Sequence, residues 1–206
     1  MSLPPPNQIE DADDEFWRWI FRENDGPNHP LKISNNGTAQ IQLGSLLIVA
    51  GSLPDNIPKN RLLQIDPGIE YVFVPAENCV YTEADMDGQT EQDLVDKANK
   101  DMTDSRGKVS VNNVQQTLNR LPAHTFSPPL IIEKCIAGAG NSGKGEGESC
   151  TKNMAPGATK AAAAACDYAI IPANTLKSGS VIKIEGVGRA GENTAPQRIE
   201  VTYNVQ

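Results

Sequence analysis

The chain has 206 residues, 38% of them apolar and only 5% aromatic, enough for one large or two small domains with a core of Ile, Leu, Val and Ala. A formal charge of -8 and an isoelectric point near 4.8 argue against a nucleic-acid partner, which needs a surplus of Lys and Arg to neutralise phosphate. No stretch approaches the roughly 20 apolar residues that cross a bilayer, and the opening MSLPPPNQIEDADDE lacks the basic and apolar regions of a signal peptide, so no membrane partner is expected either.

Pro4-Pro5-Pro6 reads as an extended arm. Acidic residues 11–15, the run Phe16-Trp17-Arg18-Trp19-Ile20-Phe21-Arg22 and the stop Asn24-Asp25-Gly26-Pro27 then predict a short helix over 13–23. Both tryptophans and two of the four phenylalanines lie there, and at 100° per residue Phe16, Trp17, Trp19, Ile20 and Phe21 cover more than half the circumference. Such a stripe either packs on its own domain or docks on a partner. The expectation adopted is the second, with these five as partner-binding residues. At about 1.5–3 kcal/mol each they supply on the order of 10 kcal/mol before ordering costs. Removal of residues 1–26 should then leave a folded protein that no longer joins its partner.

Residues 31–81 predict a small β region. Leu31–Ser34 and Thr38–Leu43 flank an Asn36-Gly37 turn, and Leu46–Val49 is apolar throughout, as in a strand buried on both faces. Arg61–Ile65 and Ile69–Val74 flank Asp66-Pro67-Gly68, a second hairpin signal. Asn36-Gly37-Thr38 also fits a glycosylation sequon and is read here as the turn.

Residues 82–125 read as a helical insertion. Leu94, Ala98 and Met102 recur at i, i+4 and i+8 within Thr90–Met102, and Val111, Val114, Leu118 and Leu121 suggest a second helix. The segment 126–206 opens with a strand over Leu130–Ile136 and a glycine-rich loop over 138–157. Thr159–Ala165, with five consecutive alanines, fits helix or strand. Tyr168–Ile171 runs as a strand into Pro172, Val181–Val187 is a strand opened by the Lys177–Ser180 turn, and Ile199, Val201, Tyr203 and Val205 alternate with polar residues in the last one. Three strands so spaced suggest an antiparallel β-sandwich.

The run YAIIPANTLKSGSVIKIEGVG, closed by RIEVTYNV, resembles the C-terminal β-sandwich of tailed-bacteriophage virion proteins. It covers about forty residues, a fifth of the chain. The resemblance implies a particle component such as a head-decoration, fibre or tail-accessory protein, with capsid or tail proteins as partners, a symmetric oligomer (a trimer) and residence in the virion. No catalytic residues come with it. The Trp-Arg-Trp core of the N-terminal arm is similar to arms of phage tail and head-accessory proteins.

Three chemical motifs are incomplete. Gly138–Lys144 satisfies G-x-x-x-x-G-K, but Gly145 stands where magnesium coordination needs Ser or Thr, and Glu146 and Glu148 follow where phosphate would sit. Glu83, Asp85 and Asp87 with Gly88 imitate half of a calcium loop, yet its twelfth position is Leu94 rather than the bidentate Glu. These three carboxylates are weak metal candidates. Cys79, Cys135, Cys150 and Cys166 include no C-x-x-C pair, and neither His29 nor His124 has a nucleophile beside it. Cys135 and Cys150 flank the glycine-rich loop and are read as free thiols, with a bridge the alternative.

The expectation is therefore a mainly β, non-enzymatic protein without cofactor or metal. It has an arm and anchor helix (1–30), a small β region (31–81), a helical insertion (82–125) and a jelly-roll-like antiparallel sandwich (126–206). The rival is a carbohydrate- or calcium-binding adhesion module.

Overall fold

A computed structural model describes residues 4–22, 29–33, 37–52, 56–82, 90–104, 106–128, 130, 162–188 and 197–206. Two sheets dominate it. One has six strands in the order β1 (Gly37–Thr38), β4 (Lys59–Leu63), β11 (Gln197–Val205), β10 (Val181–Gly188), β6 (Lys108–Val111) and β7 (Val114–Gln115). The other has five: β2 (Gln40–Leu43), β3 (Leu46–Val49), β5 (Tyr71–Thr82), β9 (Ala162–Pro172) and β8 (Asn119–Thr125). The helices are α1 (Pro6–Arg22) and α2 (Glu91–Asp101).

The sheets form a sandwich because each offers an apolar face at period two. Ile182 stands opposite Tyr203 and Ile184 opposite Val201 across the antiparallel β10–β11 pair. All four are buried against Val72, Val74, Ala169 and Ile171 of the five-stranded sheet. The alternate residues turn outward and form an ionic lattice, with Lys183 Nζ 2.9 Å from Glu185 and 3.3 Å from Glu200, and Arg198 Nη2 2.5 Å from Glu200. The far face of the five-stranded sheet carries a second core, covered by α1, so the layers run sheet, sheet, helix.

Several expectations change. The 31–81 and 126–206 segments are not separate units, since β4 is hydrogen-bonded to β11 and β5 to β9. Three of the nine pairings among described residues, β1–β4, β4–β11 and β3–β5, are parallel, so the sandwich is mixed rather than antiparallel. The Pro67-Gly68 turn, with Gly68 at φ 98°, does not close a hairpin. It carries the chain from β4 in one sheet to β5 in the other.

The second helix of the insertion is absent. Val111 and Val114 face each other across the β6–β7 hairpin, and Asn112 and Asn113 between them take left-handed φ values of 49° and 67°. Consecutive left-handed residues make a two-residue hairpin turn, a conformation asparagine tolerates and a right-handed helix excludes. Asn112 also locks the turn to β10, its N–H donating to the Val181 carbonyl at 2.9 Å and its Oδ1 accepting from Val181 N at 2.9 Å.

The first helix of the insertion forms as α2, opened by a capping box in which Thr90 Oγ1 accepts from Asp93 N and Asp93 Oδ2 accepts from Thr90 N. Its buried Ala98 and the following Met102 pack on Ala165, beside Cys79, Tyr81 and Ala123. The alanine run is thus resolved as strand from Ala162, its small side chains admitting close cover from helices on either face. The expected strand at 130–136 falls outside the described residues except for the buried Leu130.

Bulges assign the faces of the long strands. In β5, Phe73 points toward α1, but after a register shift between Pro75 and Glu77 it is Asn78 and Val80 that do so, while Cys79 and Tyr81 turn to α2. Pro75 has no N–H to give to a ladder, which suits it to such a break. A second shift in β8 between Leu121 and His124 brings both of those side chains to the α1 side.

Candidate functional site: the docking face of the N-terminal helix

α1 begins at Pro6, seven residues before the expected start, because a proline's fixed φ and missing N–H suit the first helical position. Ile9, Ala12, Asp13, Phe16, Trp17, Ile20 and Phe21 recur at helical spacing and are all buried. Phe16 meets Trp17 edge-on with centroids 5.1 Å apart, and Trp17 stacks on Phe21 at 5.8 Å. The five residues expected to bind a partner are covered within the chain. Phe16, Trp17, Trp19, Ile20 and Phe21 are 0–6% exposed and pack into the core that holds Ile48, Phe73, Ala164 and Cys166, so no ring face is left for a neighbour while the helix is docked. Covering the stripe within the chain gains the same burial without the cost of association.

The end of α1 is held by a residue beyond it. His29, 1% exposed, accepts the Leu31 N–H on Nδ1 at 3.3 Å, which leaves Nε2 protonated to donate to the Ile20 carbonyl at 3.0 Å. This satisfies one of the carbonyls a helix leaves unpaired at its C-terminus.

Within the apolar stripe sits one carboxyl group. Asp13 is fully buried, its Oδ1 accepting from Asn78 Nδ2 at 2.9 Å. Asn78 in turn accepts from Trp17 Nε1 at 3.1 Å. Asp13 Oδ2 has no hydrogen-bond partner and lies 3.9 Å from His124 Nε2. That nitrogen is 3.1 Å from Asp14 Oδ1, and His124 Nδ1 is 3.4 Å from the Pro122 carbonyl, so both ring nitrogens face acceptors, as an imidazolium requires. Burial pushes the Asp13 carboxyl up to about 7, against the lowering influence of His124 and Asn78. Burial alone would lower His124, but its bond to Asp14 and the charges of Asp13 and Asp14 outweigh this and raise it.

Cys166 lies in the same cluster. The thiol is fully buried, and burial raises it well above its ordinary value, with Asp13 and Asp167 adding to the effect. Cys79 is likewise pushed up to about 12 by burial. It faces α2, on the opposite side of the sheet from Cys166, so these two free cysteines do not converge. An open cleft of about 420 Å³ borders the cluster, between Asp11, Asp14, Glu15 and Arg18 of α1 and the Leu43–Leu46 turn. Asp11, Asp14 and Glu15 are its acidic members, and Arg18 is engaged by Asp14 at 3.9 Å and by the Pro128 carbonyl.

Among the described residues no group of three or more His, Cys, Asp and Glu side chains is placed to hold a metal ion. Glu83, Asp85 and Asp87, the Gly138–Lys144 run, Cys135 and Cys150 lie outside the described residues. Sequence reasoning missed Asp13, Asn78 and His124. Asp13 was open to discovery, since it sits between Ile9 and Trp17 at i+4 spacing in the middle of the apolar stripe. Asn78 and His124 reach it only through the two bulges, whose registers are set against strands distant in sequence.

Comparison with protein-family models, curated proteins and solved structures finds no match to this chain.

Proposed function

We propose that the chain is a structural component of a tailed-phage particle, a head-decoration, fibre or tail-accessory subunit that contributes a compact body rather than a catalytic centre. The observation that carries this reading is the run from Tyr168 to Val187 with its closing strand. Pro172 ends β9, Thr175 Oγ1 donates back to the Pro172 carbonyl at 2.7 Å, and the turn at Gly179, φ 87°, launches β10. These are the residues through which the sequence resembles virion β-sandwiches, and here they link the two sheets.

On this reading the partners are capsid or tail proteins and further copies of the chain, in a trimer. Attachment uses surface other than the α1 aromatics as long as α1 stays docked. The test is to express a tagged chain during infection and sediment assembled particles. A fixed copy number per particle supports the proposal. A chain that stays wholly in the unassembled fraction refutes it. Light scattering on the purified chain checks the trimer separately.

A further inference from the structure

We propose that Asp13, Asn78 and His124 form a proton-sensitive latch that holds α1 on the five-stranded sheet, and that opening it turns the aromatic face of the helix outward. The inference is independent of the virion reading, since it concerns the isolated chain.

Geometry singles out this position. α1 covers the sheet with hydrocarbon along its whole stripe except at Asp13, whose outer oxygen is enclosed without a hydrogen bond. A protonated carboxyl leaves that enclosure nearly neutral and can use its O–H toward a neighbour, whereas a carboxylate places a full charge in it. The groups facing Asp13 offer a single countercharge. Asp14 on its own helix is a second acid; β9 presents the Cys166 thiol; β5 presents the neutral Asn78 amide, with the Cys79 thiol on the sheet's other face; and β8 presents His124. His124 is shared with the nearer Asp14, so it balances two carboxylates only while it is itself protonated.

The direction follows from the sign of both shifts. Asp13 titrates near 7 when docked against an ordinary 3.8, so its contribution to docking is complete below about pH 4 and is withdrawn as pH rises through 7. His124 is raised above 6.5 in the docked state, so its contribution too is lost as pH rises through its docked value. The proton that Asp13 releases on opening makes the opening equilibrium rise about tenfold per pH unit between roughly pH 4 and 7, and His124 extends the rise from 6.5 to its raised docked value.

Amide hydrogen exchange of the full chain at pH 5 and pH 8, corrected for intrinsic exchange rates, tests this. The latch predicts that residues 9–21 lose at least about a hundredfold in protection between the two while β10 and β11 keep theirs. Asp13→Asn, which keeps the acceptor for Asn78 and carries no charge, should remove the roughly hundredfold share that Asp13 carries and leave only the part due to His124 and Asp14. Equal protection of α1 at both pH values would overturn the proposal. So would loss of protection in α1 and the sheets together, or an unchanged pH effect in the variant. Should Asp13→Asn fail to fold, carbon NMR titration of the wild-type Asp13 carboxyl decides: a midpoint near 7 supports the latch and one near 4 sinks it.

Discussion

Arg61 and Tyr203 face each other across the parallel β4–β11 pair and point together into the sandwich, where Arg61 Nη1 donates to the Tyr203 hydroxyl at 3.0 Å. Both are fully buried. The same guanidinium donates to the carbonyls of Ile33, Ala50 and Gly51 at 2.8–2.9 Å, and the tyrosine hydroxyl lies 2.9 Å from the Ala39 carbonyl and 2.7 Å from that of Ala50. Ala39 is where the chain passes from β1 in one sheet to β2 in the other. The pair therefore supplies donors to backbone carbonyls around the point where the chain changes sheets, Ala39 also accepting the Ala50 N–H at 2.9 Å. Nη2 is the one guanidinium nitrogen of Arg61 without a hydrogen-bond partner.

Tyr203→Phe should accordingly lower stability by about 1–3 kcal/mol, the cost of leaving buried polar groups short of a partner. Urea unfolding at pH 7 measures it. A change within experimental error would mean that Arg61 and the carbonyls repair themselves without the hydroxyl.

Trp17→Ala should cost about 3–5 kcal/mol, because the indole is buried between Phe16 and Phe21 and its N–H satisfies Asn78. Deletion of residues 1–26, which an external anchor would tolerate, should instead strip the cover from Ile48, Phe73 and Cys166 and give a product that aggregates through the bared sheet face. Circular dichroism and gel filtration distinguish the outcomes, and a soluble, sharply melting truncated chain would show that the sheets stand without the helix.

Gly107→Ala should destabilise by about 1–3 kcal/mol, the usual cost of forcing extra volume into a packed position. An added Cβ would stand 2.7 Å from the Ala76 carbonyl oxygen, a backbone atom in the β5 bulge that cannot swing aside. Thermal melts of the variant at equal concentration read this directly. A Tm equal to that of the native chain would mean that the bulge yields.

Acid should weaken the outer face of the six-stranded sheet. The Glu185 carboxyl is held below its usual 4.5, chiefly by the hydrogen bond from Lys183, so its contribution is present above 4.5 and lost as pH falls through its lowered value. Glu185→Gln should flatten that part of the stability–pH curve and reduce its salt dependence. An unaltered curve would assign the acid limb to other carboxylates. This limb has the opposite slope to the one Asp13 and His124 impose, so stability should peak between them.

Much of the local structure was legible because its cause is local. Period-two alternation placed the buried faces of β10 and β11, Leu94, Ala98 and Met102 announced α2, and Pro172 and Gly179 marked the ends of their strands. The helix expected over 111–121 shows where this fails. Val111 and Val114 fit a helical period, yet the Asn112-Asn113 pair reverses the chain between them, and turn chemistry overrides apolar spacing when both central residues adopt positive φ.

The sequence by itself determined that the protein is mainly β, that its termini supply an aromatic helix and a closing hairpin, and that the helix has to be covered. Its amphipathicity states how much surface must leave water but carries no address for the surface that receives it. Only the tertiary structure decided that the cover comes from the chain's own five-stranded sheet, that β4 joins β11 rather than β5, and that bulges in β5 and β8 deliver Asn78 and His124 to Asp13. Those are outcomes of strand register between residues tens of positions apart, where a shift of one residue turns every side chain to the other face.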